Sequence, residues 1–266
     1  MKKILFLLVI TLTVFLTSCG NDENTITVGA SSTPHAEILN FAKPLLKEKG
    51  YKLKVVEIDD YTIPNTSLKQ GSLDANYFQH LPFLNLYNQD NNSDLVSVAA
   101  IHYEPFGLYG NQISSLSESS NLILIPNDGS NRSRALLLLE QAGLIVLKAG
   151  LNPESDITIY DVIDDKGYEI KELSAENIPS SFKLSSKGTL AVINGNYALS
   201  ADIDINDALA TEDATGLAAI TYANIIAVRS ENQNDPKIKA LVEVLTSDEV
   251  KNFINNTYNG AVRSIK

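Results

Sequence analysis

The chain of 266 residues holds a single Cys, a single Met and no Trp. One Cys leaves no partner for an intramolecular disulfide and cannot build a thiolate metal cluster. Basic residues are also scarce. Against 32 Asp and Glu stand 21 Lys and Arg, a formal net charge of −11, so nothing electrostatic draws the chain to nucleic acid or to anionic lipid. There is no G-x-S-x-G elbow and no P-loop. The three His residues, His35, His80 and His102, never stand at the i, i+4 spacing of a zinc protease. His102-Tyr103-Glu104 lacks the later Cys-x-x-Cys that a zinc deaminase needs. Asp202-Ile203-Asp204-Ile205-Asn206 opens like an EF-hand loop, but Asp207 stands where Gly is required and Asp213 where Glu is required. That stretch reads as a solvated acidic excursion. No metal and no cofactor is expected, although three dispersed His could still converge on one ion. Internal repeats, low-complexity tracts and a Pro- or Gly-rich linker are all missing, so two domains would be joined by ordered crossings.

What is present begins with an address. Lys2 and Lys3 precede an apolar run from Ile4 to Leu16, shorter than the ~20 residues that span a bilayer as a helix. Leu16-Thr17-Ser18-Cys19 then resembles a bacterial lipobox, in which the chain is cut before the Cys and its sulfur is lipidated. An ordinary signal peptide is the other reading. Residues 1–18 are thus expected to be a signal peptide, Cys19 the lipid attachment point, and 19–25 a polar tether. The processed protein would be an acidic domain held at a membrane of the bacterial cell envelope, facing the periplasm or the exterior.

Hydrophobic content of 44% supports a folded chain of one large or two medium domains. Ile26 to Ala30 reads as a strand. Thr33 offers an N-cap, Pro34 a first helical position, and a helix runs to about Gly50. Leu53 to Ile58 is a second strand, completing a βαβ unit and implying a parallel sheet. Further helices are expected at Pro64 to Gln70, His80 to Tyr87 (interrupted by Pro82), Arg134 to Gln141, Pro236 to Leu245 and Asp248 to Tyr258. Further strands are expected at Leu73 to Asn76, Leu95 to His102, Leu122 to Ile125, Glu169 to Leu173, Leu190 to Ile193 and Ile225 to Val228. The fold class is α/β, with enough alternating units for two sheets.

Four polar clusters fall at the ends of these strands: Asp74 to His80, His102 to Phe106, Pro126 to Arg134, and Asn194 to Asn196 with Tyr222 to Asn224. In open α/β sheets ligands bind outside the carboxyl ends of strands. Amides, aromatics, a His and an Arg converging there suit a small zwitterion with an apolar tail. Arg134 lies near a helix start, where it could meet a carboxylate with two prongs. Asn131 as a simple N-cap, Arg134 as a surface cation and the aromatics as core are the alternatives.

Several motifs occur in order along the chain: the lipobox, Ser32 to Leu39, Asp60-Tyr61 with Pro64-Asn65, Asp74 to His80, and His102-x-Glu104-Pro105. Pro126-Asn127-Asp128 with Asn131-x-x-Arg134, Ala142 to Ile145, Ala191 to Asn194 with Asn196 to Ala198, and Tyr222 to Asn224 follow. Together they resemble the methionine-binding (NlpA-type) lipoprotein family, the substrate-binding component of a methionine ABC importer. The resemblance implies a two-lobed periplasmic-binding-protein fold, type II-like, with a ligand cleft between lobes joined by two crossing strands. Lobe 1 would hold 26–106 and 224–266, and lobe 2 would hold 107–223. Arg134 would grip the ligand α-carboxylate, and Asn224, with Asn194, would supply polar contacts. Tyr61, Tyr77 and Phe78, with His80, would enclose the thioether, while Glu104 and Asn131 complete the expected site. The implied partners are methionine, an ABC permease and its ATPase. Two features depart from the pattern: Phe106 where relatives commonly carry Met, and a loosely matching stretch at 202–216. Neither is expected to touch the carboxylate clamp; Phe106 would bear on the tail pocket. A methionine-containing dipeptide is an alternative cargo. Outside the resemblance stand two other classes: a hydrolase or lyase using His80 or His102 with Glu104 as acid and base, and a structural lipoprotein with a vestigial cleft.

Overall fold

The structure, a computed structural model, describes residues 24–153, 155–212 and 217–265. The expected signal segment, Cys19, most of the tether and residues 213–216 lie outside the described residues. Strands β1 (Thr25–Ala30), β2 (Lys52–Glu57), β3 (Ala75–His80), β4 (Leu95–Tyr103), β5 (Gly107–Gly110), β6 (Leu122–Pro126), β7 (Val146–Leu147), β8 (Val162–Asp164), β9 (Glu169–Leu173), β10 (Leu190–Ile193), β11 (Ala210–Thr211), β12 (Asn224–Arg229) and β13 (Arg263–Ser264) are described. They alternate with helices α1 (Glu37–Glu48), α2 (Ile63–Lys69), α3 (Leu81–Asn91), α4 (Gly129–Gln141), α5 (Ile178–Lys183), α6 (Gly195–Ser200), α7 (Leu217–Thr221), α8 (Pro236–Leu245) and α9 (Asp248–Thr257). None of the described helices is long and apolar enough to cross a membrane.

The strands form two larger sheets and one small ribbon. The first sheet runs β13-β4-β12-β3-β1-β2, with β1 parallel to β2 and β3, and β12 antiparallel to β3 and β4. The second runs β11-β5-β10-β6-β9, with β6 parallel to β9 and β10. Each has its own core. In α1, Ile38, Leu39, Ala42 and Leu46 recur on one helical face and pack on Ile26, Val28 and Val228 of the first sheet. In the second, Leu136 and Leu139 of α4 cover Ile123, Ile125 and Val192. Fully burying each such Leu or Ile contributes ~1.5–3 kcal/mol, which is why the two sheets hold as separate layers.

The chain passes between the sheets at two described places. It leaves the first sheet at the end of β4 and enters the second at β5 through residues 104–106. It returns into β12, whose first residue, Asn224, pairs with His80 and His102. The ends of β3, β4, β6 and β10 therefore open on one interior region.

The βαβ start and the long strands follow the sequence pattern, and four local readings are corrected. Thr33 is extended rather than a cap; its hydroxyl donates to Glu37 Oε1 (2.8 Å), and Ser32–Ala36 form a separate turn ahead of α1. Strand β3 runs through His80, so Pro82 starts α3 instead of interrupting it, and the His80 side chain accepts from the Phe83 backbone N–H as the cap. Helix α4 begins at Gly129, and its cap is Asp128, not Asn131. The acidic stretch from Asp202 is not all surface: β11 joins the second sheet beside β5, and Glu212 is buried.

Candidate functional site

The strand ends enclose a cleft whose lining runs from Tyr61, Phe78 and Phe83 on one side to Asn131, Arg134 and Asn194 on the other. Its floor is the crossing. Glu104 follows β4, and the Gly195 backbone lies so close that a Cβ there would stand 2.6 Å from Glu104 Oε2. Any side chain at 195 would displace the carboxylate.

The first-sheet wall is aromatic. Tyr61, Phe78 and Phe83 meet with ring centroids 5.7 to 5.8 Å apart, and His80 stands beside them. Strand alternation separates the residues of β3, since successive side chains face opposite ways: Phe78 and His80 line the cleft while Tyr77 does not. The pairing of β12 with β3 steps from Gln79 to Tyr77, leaving Phe78 as the extra residue of a bulge. Tyr77 is fully buried behind it, with its hydroxyl on His102 Nδ1 and its ring edge-on to His35. The expectation that Tyr77 encloses an apolar tail is therefore corrected.

Behind the floor lies a polar network. His102 Nε2 and Glu104 Oε1 are 2.6 Å apart, and His35 Nε2 is 3.6 Å from the same oxygen. Two of the three His thus converge on one carboxylate, and this is the one group among the described residues with metal-ligand character. Each of its ring nitrogens already has a hydrogen-bond partner: Ser31 and Asn224 for His35, Tyr77 and Glu104 for His102. Burial lowers His102 to about 3. It also lowers His35 to about 4, Glu104 pulling the other way. Burial raises Glu104, opposed by the charges of His35 and Arg134. His35 is therefore neutral at pH 7. Ser31 donates to its Nδ1 and its Nε2 donates to Asn224 Oδ1 (2.9 Å), which leaves the Asn224 amide nitrogen for the cleft.

The second-sheet wall carries amides and a cation. Asp128 accepts from both the backbone and side-chain N–H groups of Asn131 (3.0 and 2.9 Å). That fixes Asn131 Oδ1 as an acceptor for His80 Nε2 (3.2 Å) and Asn194 Nδ2 (3.1 Å). Burial lowers His80 to about 3, and Arg134 adds to the effect. Asn196 Oδ1 accepts from the Tyr61 hydroxyl (2.5 Å) across the cleft. Asn194 Oδ1 and Asn196 Nδ2 stay buried with no partner among the described residues. Arg134 lies with its guanidinium carbon 3.8 Å from the Phe106 ring centroid and 4.5 Å from that of Tyr222. Its Nε and Nη2 donate to the two oxygens of Glu212 (2.7 and 2.6 Å), and Nη2 also donates to the Glu104 carbonyl (2.7 Å). Burial works against the charged form; the charge and hydrogen bonds of Glu212 outweigh it and raise the pKa.

Eight of the nine expected site residues thus line one cleft: Tyr61, Phe78, His80, Glu104, Asn131, Arg134, Asn194 and Asn224. Sequence reasoning missed Phe83 and Glu212, and it placed Asn196 in a strand-end cluster without assigning it to the site. Two expectations about Arg134 fail. The two-pronged edge of its guanidinium is taken by Glu212, and both sequence departures touch the clamp: Phe106 under the guanidinium and Glu212 beside it.

A sequence model described as NlpA lipoprotein matches residues 26–265. The chain belongs to the NlpA lipoprotein family. Relatives of this NlpA lipoprotein include the methionine-binding lipoprotein MetQ of Bacillus subtilis, 39% identical over 258 residues, 93% of this chain and 92% of that one. A lipoprotein from Ruminococcus gnavus superposes with a TM-score of 0.86 at 44% identity, covering 91% of this chain and 100% of the other. A nutrient-binding protein from Burkholderia cenocepacia, solved bound to methionine, gives 0.84 at 36% identity, covering 91% and 100%. These likenesses extend over both sheets, and the fold is the two-lobed periplasmic-binding fold.

Proposed function

We propose that this NlpA lipoprotein is the substrate-binding component of a methionine importer, binding methionine in the cleft without transforming it. The observation that carries the reading is the polarity of the lining. Arg134 Nη1, Asn196 Nδ2 and the Asn224 amide nitrogen are donors left for a carboxylate, and Asn194 Oδ1 with Glu104 are acceptors for an ammonium. Tyr61, Phe78 and Phe83 form the wall for the tail, where a thioether gains ~0.3–1.5 kcal/mol against an aromatic ring. The name of the Bacillus subtilis relative and the methionine-bound Burkholderia cenocepacia protein support the same cargo. His102 Nε2 is already held on Glu104 Oε1, and its Nδ1 on the Tyr77 hydroxyl, which favours a binder over an acid–base catalyst.

In this reading lobe 1 comprises 26–106 and 224–266, and lobe 2 comprises 107–223. A lipid on Cys19 holds the domain at the cell envelope, and closure of the lobes presents the cargo to an ABC permease with its ATPase. The test uses the one Met in the sequence, Met1, which leaves with the signal. Amino-acid analysis of the processed, lipidated protein in detergent is expected to find about one methionine per chain before denaturing dialysis and none after. Asn224→Ala is expected to remove that methionine. A different compound recovered in its place refutes the cargo.

A further inference from the structure

The buried acid at the end of the acidic stretch, Glu212, is not needed to line the cleft, yet it is among the most heavily bonded side chains near it. Its Oε1 accepts from Arg134 Nε (2.7 Å). Its Oε2 accepts from Arg134 Nη2 (2.6 Å), the Tyr103 hydroxyl (2.8 Å) and the Phe106 backbone N–H (3.0 Å). Its own backbone N–H donates to the Phe106 carbonyl (3.2 Å). Glu212 is thereby tied to the first crossing and to α4 at once.

We infer that Glu212 is a positioning residue for ligand binding: it holds Arg134 so that one guanidinium nitrogen, Nη1, is offered to the ligand carboxylate. The inference rests on the reading of the cleft as a methionine site. A guanidinium carries five N–H groups in a fixed plane. Nε uses its one on Glu212, and Nη2 uses its two on Glu212 and the Glu104 carbonyl, so among the described residues the two on Nη1 remain. The Phe106 and Tyr222 rings, 3.8 and 4.5 Å from its carbon, limit tilting of the plane, and the bonds to Glu212 and the Glu104 carbonyl hold its edges in place.

Nor can a ligand carboxylate displace Glu212. Doing so would strand a buried carboxylate together with the Tyr103 hydroxyl and the Phe106 N–H, and leaving buried donors unmade is strongly unfavourable. The cargo's carboxylate is therefore gripped by one arginine nitrogen plus amides such as Asn196 and Asn224, not by an isolated arginine fork. Glu212 also balances the charge of Arg134, so the cleft suits a ligand bringing one charge of each sign.

The experiment compares Glu212→Gln with the unaltered protein, both as the processed full chain in detergent. L-Methionine binding is measured by calorimetry, and methioninol, which lacks the carboxylate, by displacement. Glu212→Gln is expected to weaken methionine by about 30-fold and methioninol by less than about threefold, because only methionine uses Arg134. Equal weakening of both ligands overturns the inference, since a merely structural role would move both. Tighter methionine binding also overturns it, since Glu212 would then be a competitor. Should Glu212→Gln fail to fold, Glu212→Asp, which keeps the charge at shorter reach, is expected to show the same selective loss at about three- to tenfold; no selective loss there overturns the inference. Failure of the unaltered protein to bind methionine overturns the site reading itself and this inference with it.

Discussion

On the second-sheet wall of the cleft Arg134 keeps its charge and takes Glu212 as a fixed partner, while the network entering from the first sheet gives its charge up. The guanidinium has no neutral form to retreat to at ordinary pH, so a buried Arg must be paired. Imidazoles have one, and burial drives His35, His80 and His102 into it, down to about 4 for the first and about 3 for the others. Two neighbouring regions with similar burial therefore behave differently: one is an ion pair held by aromatic faces, the other a chain of neutral hydrogen bonds ending on Glu104. A binding cleft can use the first for strength and the second for orientation.

The contrast can be broken most severely at Arg134. Arg134→Ala is expected to abolish methionine binding in calorimetry and also to lower stability by ~3–5 kcal/mol in denaturant melts, because Glu212 is left buried and unpaired. The imidazole side is probed by pH. The folded histidines stay neutral to about 3–4, whereas unfolded ones take protons below about 6.5. The unfolded state thus binds more protons in this window, and stability is expected to fall as pH drops from 6.5 towards 4, by up to ~1.4 kcal/mol per pH unit for each histidine. Glu104, whose pKa burial raises, shifts the balance the opposite way and moderates the slope. Thermal melts across that range check it; a flat profile would mean that the imidazoles are not held neutral. The mildest intervention sharpens the division between cleft and backing. Tyr77→Phe removes the hydroxyl on His102 Nδ1 and is expected to reduce stability by ~1–3 kcal/mol in melts, with methionine affinity within about twofold.

How far the sequence carried depends on the range of the interaction involved. The first βαβ unit was legible because β-branched residues at β1 and the apolar face of α1 are local patterns, as was the placing of polar clusters at strand ends. The extent of β3 was not. Its Tyr77, Phe78 and His80 read as a single aromatic set because the sequence pattern ends the strand at Asn76; once β3 runs through His80, alternation turns Tyr77 away from the face that Phe78 and His80 share. Glu212 was hidden for a related reason. In composition a solvated acidic loop and a buried acid look alike, and the partner that distinguishes them is 78 residues away. One signal was available: Arg134 stands beside Ala135 and Leu136 in a Leu-rich helix, and a cation in such company requires an acid from elsewhere. Asn131 was open between helix cap and cleft residue because Asp128 and Asn131 are both good caps; Asp128 takes the cap, and Asn131 lines the cleft.

The chain of bonds from Ser31 through His35 to Asn224 has a direction, and the direction is a form of memory. The Asn224 carbonyl oxygen can only accept, so the imidazole hydrogen lies on Nε2 and Nδ1 takes its hydrogen bond from the Ser31 hydroxyl. To present its oxygen instead of its N–H to a cargo, Asn224 would have to flip while the imidazole changed tautomer and the hydroxyl rotated, all together. An amide that is ambivalent in solution is thereby given a single voice here, and bonds that no cargo touches decide which molecules the cleft can hear.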